Sequence, residues 1–374
     1  MLENLFGVPF TLLSFIVALS VVVFVHEFGH FAIARRCGVR CESFSIGFGP
    51  ELFGYTDKKG TRWKFSLIPL GGYVKMYGES ESMQAVEGGV TEPDHKPMTP
   101  EEKAVSLKYK PVGQRAAIVF GGPAVNFIFA IVVLTVIFMI FGRPVVQPIV
   151  GGVVEDSAAA AAGLKPGDRI NAIDGEPIKQ FDEIRRLVQL SYDKPLHLDV
   201  TRDGAPLELS ITPKVVEVKD AFGNMQKTPM LGLSSSGETA MVERLGPVGA
   251  LGMAVKQTYE VVEATGVAVG QMIQGRRGTE DLGGPIRIAK YSGQAAKSGP
   301  AGFVLFVAIL SINLGLINLV PVPLLDGGHL LFYAIEAIRG RPLSDRAQEW
   351  GMRIGLALVG ALMVFVTWND IVQL

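Results

Sequence analysis

Four apolar stretches of the chain are each long enough to cross a bilayer, and they constrain its fold more than any other feature. They occupy residues 8–33, 116–141, 302–325 and 354–368, and the third continues as a helical pattern to 338. A transmembrane helix needs roughly 20 apolar residues. The first stretch could instead be a signal peptide, but it lacks a basic start and a small-residue cleavage site, so we interpret it as an uncleaved span. The sequence thus predicts a polytopic α-helical membrane protein with four transmembrane helices.

The composition indicates that these spans alternate with ordinary soluble segments. Of the residues, 48% are hydrophobic and 19% are charged. The net charge of -1 gives no indication of nucleic-acid binding. Two cysteines, Cys37 and Cys41, exclude a disulfide framework. A zinc site or a disulfide between them is less favoured than two reduced thiols on the cytosolic side.

The placement of arginine predicts how the spans are oriented. The first eight residues and the tail after Trp368 contain no lysine or arginine. The basic residues next to the spans are Arg35, Arg36, Arg40, Arg115, Arg339, Arg341, Arg346 and Arg353. Because basic residues stay on the cytosolic side, we expect loops 35–114 and 339–353 in the cytosol. Both termini and the long 142–300 segment would then lie outside.

The first span contains three ionisable residues in the motif His26-Glu27-Phe28-Gly29-His30, which is H-E-x-x-H. Residues four apart lie on the same face of a helix, so His26 and His30 can bind one zinc ion. Glu27 would then act as general base on the bound water. Surface charges are the alternative explanation, but charged groups within a bilayer are costly unless they are paired or bind a metal.

The third apolar stretch is also interrupted, in the run from Asn313 to His329. Pro321 and Pro323 must break its helix, and broken backbone at membrane depth is tolerated only where it lines a cavity or water. Asp326 follows this break and is a candidate for the third ligand that a catalytic zinc needs. Alternatively, Asp326 only caps the next helix. His329, three residues on, is a second candidate ligand; we favour Asp326 because it lies nearer the break.

Together, the H-E-x-x-H and N-x-x-P-x-P-x-L-D-G-G motifs resemble those of the site-2 protease family of intramembrane zinc proteases. The resemblance extends to residues 121–127 (GGPAVNF) and 71–76 (GGYVKM), and so covers nearly the whole chain. It is nearest to the bacterial RseP-type subgroup, which has four spans and a PDZ domain between the second and third. It therefore implies a bacterial inner-membrane protein.

The resemblance also implies a role for each matching residue. His26, His30 and Asp326 would bind one Zn²⁺ per chain, and Glu27 would be catalytic. Substrate positioning, or polarisation of the scissile carbonyl, is implied for Asn318, Asn126, Gly71, Gly72 and Tyr73. The substrates would be single-span membrane proteins, such as trimmed anti-sigma factors and remnant signal peptides. The rival hypotheses are a non-catalytic scaffold and a zinc transporter; the transporter would need acidic or histidine residues in spans two and four, which have none.

The cytosolic loop contains a run of alternating polar and apolar residues over 61–76, which predicts a β-hairpin turning at 69–72. An ordinary surface hairpin would explain the pattern. The resemblance instead implies a membrane-associated hairpin that holds the substrate extended by strand addition. Residues 78–105 have no clear periodicity and predict a mobile linker.

The outer segment resembles a PDZ domain of the protease-associated kind over residues 146–214. We expect a helix over 181–190 and strands over 196–202 and 207–211, joined by an Asp203-Gly204 turn. Such a domain binds a peptide or a C-terminus at a strand edge; a plain spacer domain is the alternative. In the 215–300 connector, residues 246–274 predict an amphipathic helix at the lipid interface.

Overall fold

Four long helices dominate the computed structural model, which describes residues 2–79, 98–191, 194–219, 225–236, 240–275, 278 and 282–372. Within the described residues, the apolar segments long enough to cross a membrane are Gly7–Arg36, Val112–Phe141, Pro300–Asn318 and Arg346–Val372. They belong to helices α1 (Leu2–Arg36), α3 (Val112–Phe141), α8 (Pro300–Asn318) and α10 (Asp345–Val372). The predicted number of membrane-length helices is therefore confirmed for this part of the chain.

The chain divides into two compact units. The first contains the residues up to Leu134 together with Gly283–Val372, and the second contains Thr135–Leu282. Every candidate catalytic or metal-binding residue belongs to the first unit.

The third span ends earlier than the sequence predicts. Helix α8 stops at Asn318, and a separate helix, α9, covers Asp326–Arg339. Pro321 and Pro323 lie in the break, where Leu324 has a φ of 124°, a strained value for a side chain with a Cβ. The break predicted at Pro321 and Pro323 is therefore confirmed, and the helical pattern up to 338 belongs to a separate helix. These prolines remove backbone donors and restrict the residues before them.

The sheet between α1 and α3 has a different pairing from the predicted hairpin. Strands β1 (Cys41–Thr56) and β2 (Arg62–Met76) pair in more than one register, and 43–46 pairs antiparallel with 72–75. Ser43 opposes both Arg62 and Lys75, so the run 43–46 lies between 62–65 and 72–75. A simple hairpin over 61–76 is therefore wrong: its two arms are strands, but β1 separates them.

This sheet packs on the cytosolic-predicted end of α1. Phe31 of α1 lies in one buried cluster with Phe44 of β1 and Val74 of β2. At the far end of the sheet, the large apolar side chains are exposed instead: Leu52, Phe53, Tyr55, Leu67 and Ile68. One end of the sheet is thus anchored, and the other presents an apolar surface.

The linker predicted over 78–105 lies mostly outside the described residues. Its described end is a short helix, α2 (Pro100–Val105), where Thr99 and Glu102 form a reciprocal capping box. A structureless linker is wrong for this end, because the capping box satisfies the first amides of the helix. A 3-10 turn, Leu107–Tyr109, connects α2 to α3.

The second unit contains the elements predicted for the outer segment. Helix α5 (Phe181–Ser191) and strands β7 (Leu196–Arg202) and β8 (Ala205–Ile211) match the prediction, with positive φ at Asp203 and Gly204 in the turn. The four-stranded sheet has the order β6-β5-β7-β8, where β5 is Arg169–Ile173 and β6 is Glu176–Pro177.

The predicted domain boundary at 214 is too early. Strand β11 (Leu233–Ser235) pairs with β4 (Val150–Val153), and Leu231 shares one buried core with Val150, Ile170 and Leu198. The remaining elements of the unit are β3 (Arg143–Val146), α4 (Ala158–Ala161), β9 (Lys214–Lys219), β10 (Met225–Met230) and β12 (Ala240–Glu243). The fold therefore closes with a strand that the sequence pattern did not assign.

The connector holds two helices. Helix α6 (Pro247–Ile273) agrees with the helix predicted over 246–274, and buries Ala250, Ala254 and Thr258 along one face. Helix α7 (Pro285–Lys297) follows Gly283-Gly284 in the first unit. The Asp370 carboxylate of α10 accepts hydrogen bonds from the backbone amides of Gly284 and Arg287, which fastens the start of α7 to the end of α10.

Candidate metal centre

His26, His30 and Asp326 converge in the first unit. Asp326 Oδ2 lies 3.1 Å from His26 Nε2 and 3.5 Å from His30 Nε2, and the two Nε2 atoms are 3.2 Å apart. Within the described part of the chain, these three residues are the group of His, Cys, Asp and Glu that could hold a metal ion. Both histidines are buried and Asp326 is partly buried.

The three ligand atoms of this group are suited to bind a cation. Asp326 Oδ2 is buried and accepts no hydrogen bond within the described residues. Three facing acceptor atoms repel one another unless a positive charge lies between them. Two imidazole nitrogens and a carboxylate oxygen are also the ligand types that zinc prefers.

The partners of the Nδ1 atoms turn each Nε2 toward this position. His30 Nδ1 lies 3.0 Å from the carbonyl oxygen of Ile118 and donates its proton to it. In this tautomer Nε2 carries no proton, so its lone pair is free to bind a metal. His26 Nδ1 lies 3.1 Å from the amide of Asn126, whose side chain is fully buried and whose Oδ1 has no partner among the described residues. Turning this amide by 180° lets Oδ1 accept the Nδ1 proton, which leaves His26 Nε2 with the lone pair that a metal ligand needs.

Glycines allow α1 and α3 to approach closely enough for these contacts. A Cβ on Gly29 would lie 2.2 Å from the carbonyl oxygen of Gly121, and one on Gly122 would lie 2.3 Å from His30 Nε2. Any larger residue at these positions would displace the imidazoles. Gly29 belongs to the H-E-x-x-H motif and Gly122 to the motif 121–127, but the backbone acceptor Ile118 has no sequence signal.

The break before α9 places Asp326 beside the histidines. A Cβ on Gly327 would lie 2.3 Å from the carbonyl oxygen of Leu319, and one on Gly328 would lie 2.4 Å from that of Val322. These glycines let the first turn of α9 pack against the broken backbone. The helix begins without a side-chain cap, so the alternative that Asp326 merely caps it is wrong.

His329 does not join the three converging residues. Its ring packs edge-on against Phe332, and it lines a cavity of about 360 Å³ together with Glu79, Arg115 and Tyr333. Of the two candidates for the third ligand, the structure therefore brings Asp326 to His26 and His30.

Of the other site candidates, two lie beside the centre and two pack against Phe48. Asn318 and Gly72 lie at the centre: Asn318 Nδ2 is 3.4 Å from His26 Nε2, and a Cβ on Gly72 would lie 3.4 Å from Glu27 Cγ. Strand β2 therefore passes directly beside Glu27. Tyr73, on the opposite face of the strand, stacks on Phe48. Gly71 has a φ of 112°, and a Cβ there would lie 2.4 Å from Phe48 Cε2.

Comparison with known proteins identifies relatives that align with nearly the whole chain. The model of peptidase family M50 matches residues 14–362. A protein of Agrobacterium fabrum named as a zinc metalloprotease is 46% identical over 367 residues, covering 97% of this chain and 96% of the relative. One of Rhizobium meliloti with the same kind of name is 44% identical over 376 residues, covering 99% and 98%.

A third relative has a more specific name. The regulator of sigma-E protease RseP of Escherichia coli is 35% identical over 463 residues, covering 97% of this chain and 98% of the relative. Among solved structures, the PDZ domain of an SdrC-like protein from Listeria monocytogenes aligns with 24% of this chain and 87% of its own, at 22% identity and a TM-score of 0.20.

Proposed function

Because the chain belongs to peptidase family M50, the site-2 proteases, and is a zinc metalloprotease, we propose that it is an intramembrane endopeptidase. It cuts single-span membrane proteins within or next to their transmembrane segment. The observation that carries this proposal is the His26, His30 and Asp326 group, whose two buried histidines lie on a membrane-length helix. A protease acting only on soluble substrates has no need to place its site there.

The family match also decides between the hypotheses drawn from the sequence. The resemblance to site-2 proteases is confirmed over almost the whole chain. The enzyme interpretation is confirmed with it, and the non-catalytic scaffold has no observation in its favour.

His26 and His30 would hold one zinc ion through Nε2, and Asp326 through a carboxylate oxygen. When bound, zinc lowers the pKa of a coordinated water toward neutrality and stabilises negative charge on the scissile carbonyl oxygen. Glu27 accepts a proton from the attacking water and passes it to the amine nitrogen as the peptide C–N bond breaks. The water oxygen ends in the new carboxylate.

Asn318 and Asn126 take different roles in this proposal. Asn318 lies on the Nε2 side of His26, where its amide can donate to the scissile carbonyl oxygen. Asn126 lies on the Nδ1 side and is fully buried, so it orients the imidazole rather than touching the substrate.

We assign substrate positioning to the edge of β2 over residues 72–76. These residues pair with β1 on one side, and no other described strand pairs with them on the second side, next to Glu27. A transmembrane helix hides its peptide bonds, so it must become extended before it is cut. Adding the extended segment to this edge would hold it beside the general base.

The wider setting follows from the arginine distribution and from the relatives. The site would lie near the cytosolic side of a bacterial inner membrane, with both termini and the second unit outside. The second unit would be a PDZ domain that binds a peptide or C-terminus, or limits access by bulky substrates. The RseP relative is named as a regulator of sigma-E, which agrees with trimmed anti-sigma factors as proposed substrates; remnant signal peptides are a further proposed class.

The test compares the purified wild type with Glu27→Gln in liposomes that contain a panel of tagged single-span proteins. We expect new fragments with the wild type alone, while both proteins carry the same zinc content by elemental analysis. Fragment mass would place the cut within or next to the span. Cleavage that persists in Glu27→Gln, or cuts far from the span only, contradicts the proposal.

A further inference from the structure

We infer that Arg115 and Glu336 are positioning residues: their ion pair holds helix α9 in register with helix α3 and so keeps Asp326 directed at the two histidines. The inference rests on the proposed metal site. The sequence pattern indicated Arg115 only as a topology signal, and it indicated no role for Glu336.

The pair has the geometry of a rigid connection. Arg115 donates from Nη1 to Glu336 Oε2 at 3.1 Å and from Nη2 to Oε1 at 2.5 Å. The side chains are only 14% and 15% exposed. Arg115 Nε also donates to the carbonyl oxygen of Lys110 at 3.0 Å, and the guanidinium lies 4.9 Å from the centre of the Tyr333 ring. Two-pronged contacts of this kind fix orientation as well as distance.

Each partner shares a helix with the metal centre. Glu336 lies ten residues after Asp326 on α9, which is about 15 Å along the axis at about 1.5 Å per residue. Asp326, His329, Tyr333 and Glu336 follow the i, i+3, i+7, i+10 spacing of one helix face. On α3, Arg115 precedes the Ile118 carbonyl and Asn126, which contact His30 and His26. The ion pair therefore joins the helix that orients the histidines to the helix that carries the third ligand.

Helix α9 depends on such a connection. The broken segment before it interrupts the backbone hydrogen bonding that would continue from α8, and the helix ends at Gly340 in the left-handed conformation. The residues of α9 that are buried are Gly327 and Gly328, both in its first turn. A metal ligand must be held to about 0.5 Å for productive geometry. Beyond the first turn, Phe332 lies close to Gly351 of α10, and the ion pair supplies the polar contact between the distal part of α9 and α3.

The test uses Glu336→Gln, Arg115→Lys and the exchanged pair Arg115→Glu/Glu336→Arg in the full chain. The matched control is Glu349→Gln, which breaks the exposed Arg353–Glu349 pair of α10. Three quantities are measured: zinc release into a chelator, the visible absorption of the Co²⁺-loaded protein, and kcat and KM for a cleaved single-span substrate.

We expect Glu336→Gln to release zinc at least ~10-fold faster and to lower kcat ~10-fold with little change in KM, the size of effect seen when metal-orienting groups are lost. The Co²⁺ absorption should change in shape, Arg115→Lys should be intermediate, and the exchanged pair should recover most of the loss. Glu349→Gln should match the wild type.

Wild-type zinc release and kcat in both single variants would overturn the inference. If Glu336→Gln fails to fold, Arg115→Lys keeps the charge and decides by the same release assay. Loss of activity with unchanged zinc release and Co²⁺ absorption also overturns it, because the defect then lies elsewhere. Zinc release needs no substrate, so a wild type that binds metal but cuts no membrane protein would instead count against the proposed function alone.

Discussion

His30 and His26 present Nε2 to the metal position because their Nδ1 atoms are already engaged by Ile118 and Asn126. The first contact is to a backbone carbonyl, which no side-chain substitution can remove. The second is to the side-chain amide of Asn126, which is fully buried. At the scale of single residues, the centre is thus fixed by groups that would not touch the substrate.

The first prediction concerns the third ligand. Asp326→Ala should lose bound zinc and proteolysis, each by at least ~100-fold, because a direct ligand matters more than the orienting groups that cost 10- to 100-fold. His329→Ala should keep stoichiometric zinc and substantial activity, since His329 lies apart from the three converging residues. Metal analysis of both purified variants decides the matter, and zinc kept by the first but lost from the second would contradict the assignment.

At the scale of elements, the sequence predicted what depends on local spacing. H-E-x-x-H placed His26 and His30 on one helix face, and Pro321 and Pro323 predicted the break before Asp326. The sequence did not predict the pairing of strands that lie far apart in the chain. Strand β1 inserts between the two arms of β2, and β11 pairs with β4 across some 80 residues. The periodicity of a sequence predicts which face of a strand is buried, but it does not predict which strand pairs with it.

The Arg115–Glu336 pair shows the same limit. Its members are 221 residues apart, so no local pattern joins them. Arg115 had a sufficient explanation as a topology signal, which concealed its contact. Long-range polar contacts of this kind become visible only once the helices are packed.

A second element-scale prediction concerns the buried Asp168 in the second unit. Its carboxylate accepts from Arg202 Nε and Nη2, both at 2.7 Å, and from the Lys165 amide at 2.8 Å. The Arg202 hydrogen bonds, more than opposing burial, lower the pKa of Asp168 below its usual value. A lowered carboxyl pKa stabilises the fold above the unfolded value of about 3.9, and this stability is lost as pH falls through the folded pKa.

Asp168→Asn should therefore destabilise the unit at neutral pH by about 2 kcal/mol, the scale of a charged hydrogen bond, and weaken its loss of stability below about pH 4. Hydrogen exchange of the β5 and β7 amides in the full chain, from neutral to acidic pH, measures this. Asp199→Asn, on the exposed face of β7, is the control and should follow the wild type. An unchanged acid response in Asp168→Asn would show that other carboxyl groups dominate.

At the scale of the whole molecule, the division of labour follows the division into units. The residues proposed for chemistry lie in the first unit, and the second unit is an insertion between two membrane-length helices. Such an insertion can change which substrates reach the site without altering the site itself. The proposed selection of substrates trimmed outside requires the second unit to lie on that side of the membrane.

The last prediction is the orientation that this requires. Reporters fused after Gly142 and at Leu374 should report the outside, and one inserted near Glu92, which lies outside the described residues, should report the inside. The physical reason is that the arginines near the span ends, including Arg35, Arg36 and Arg115, resist transfer across the membrane. Alkaline phosphatase and a cytosol-active fluorescent protein, fused at each point in turn, give opposite signals. An outside signal near Glu92 would invert the topology and place the second unit in the cytosol.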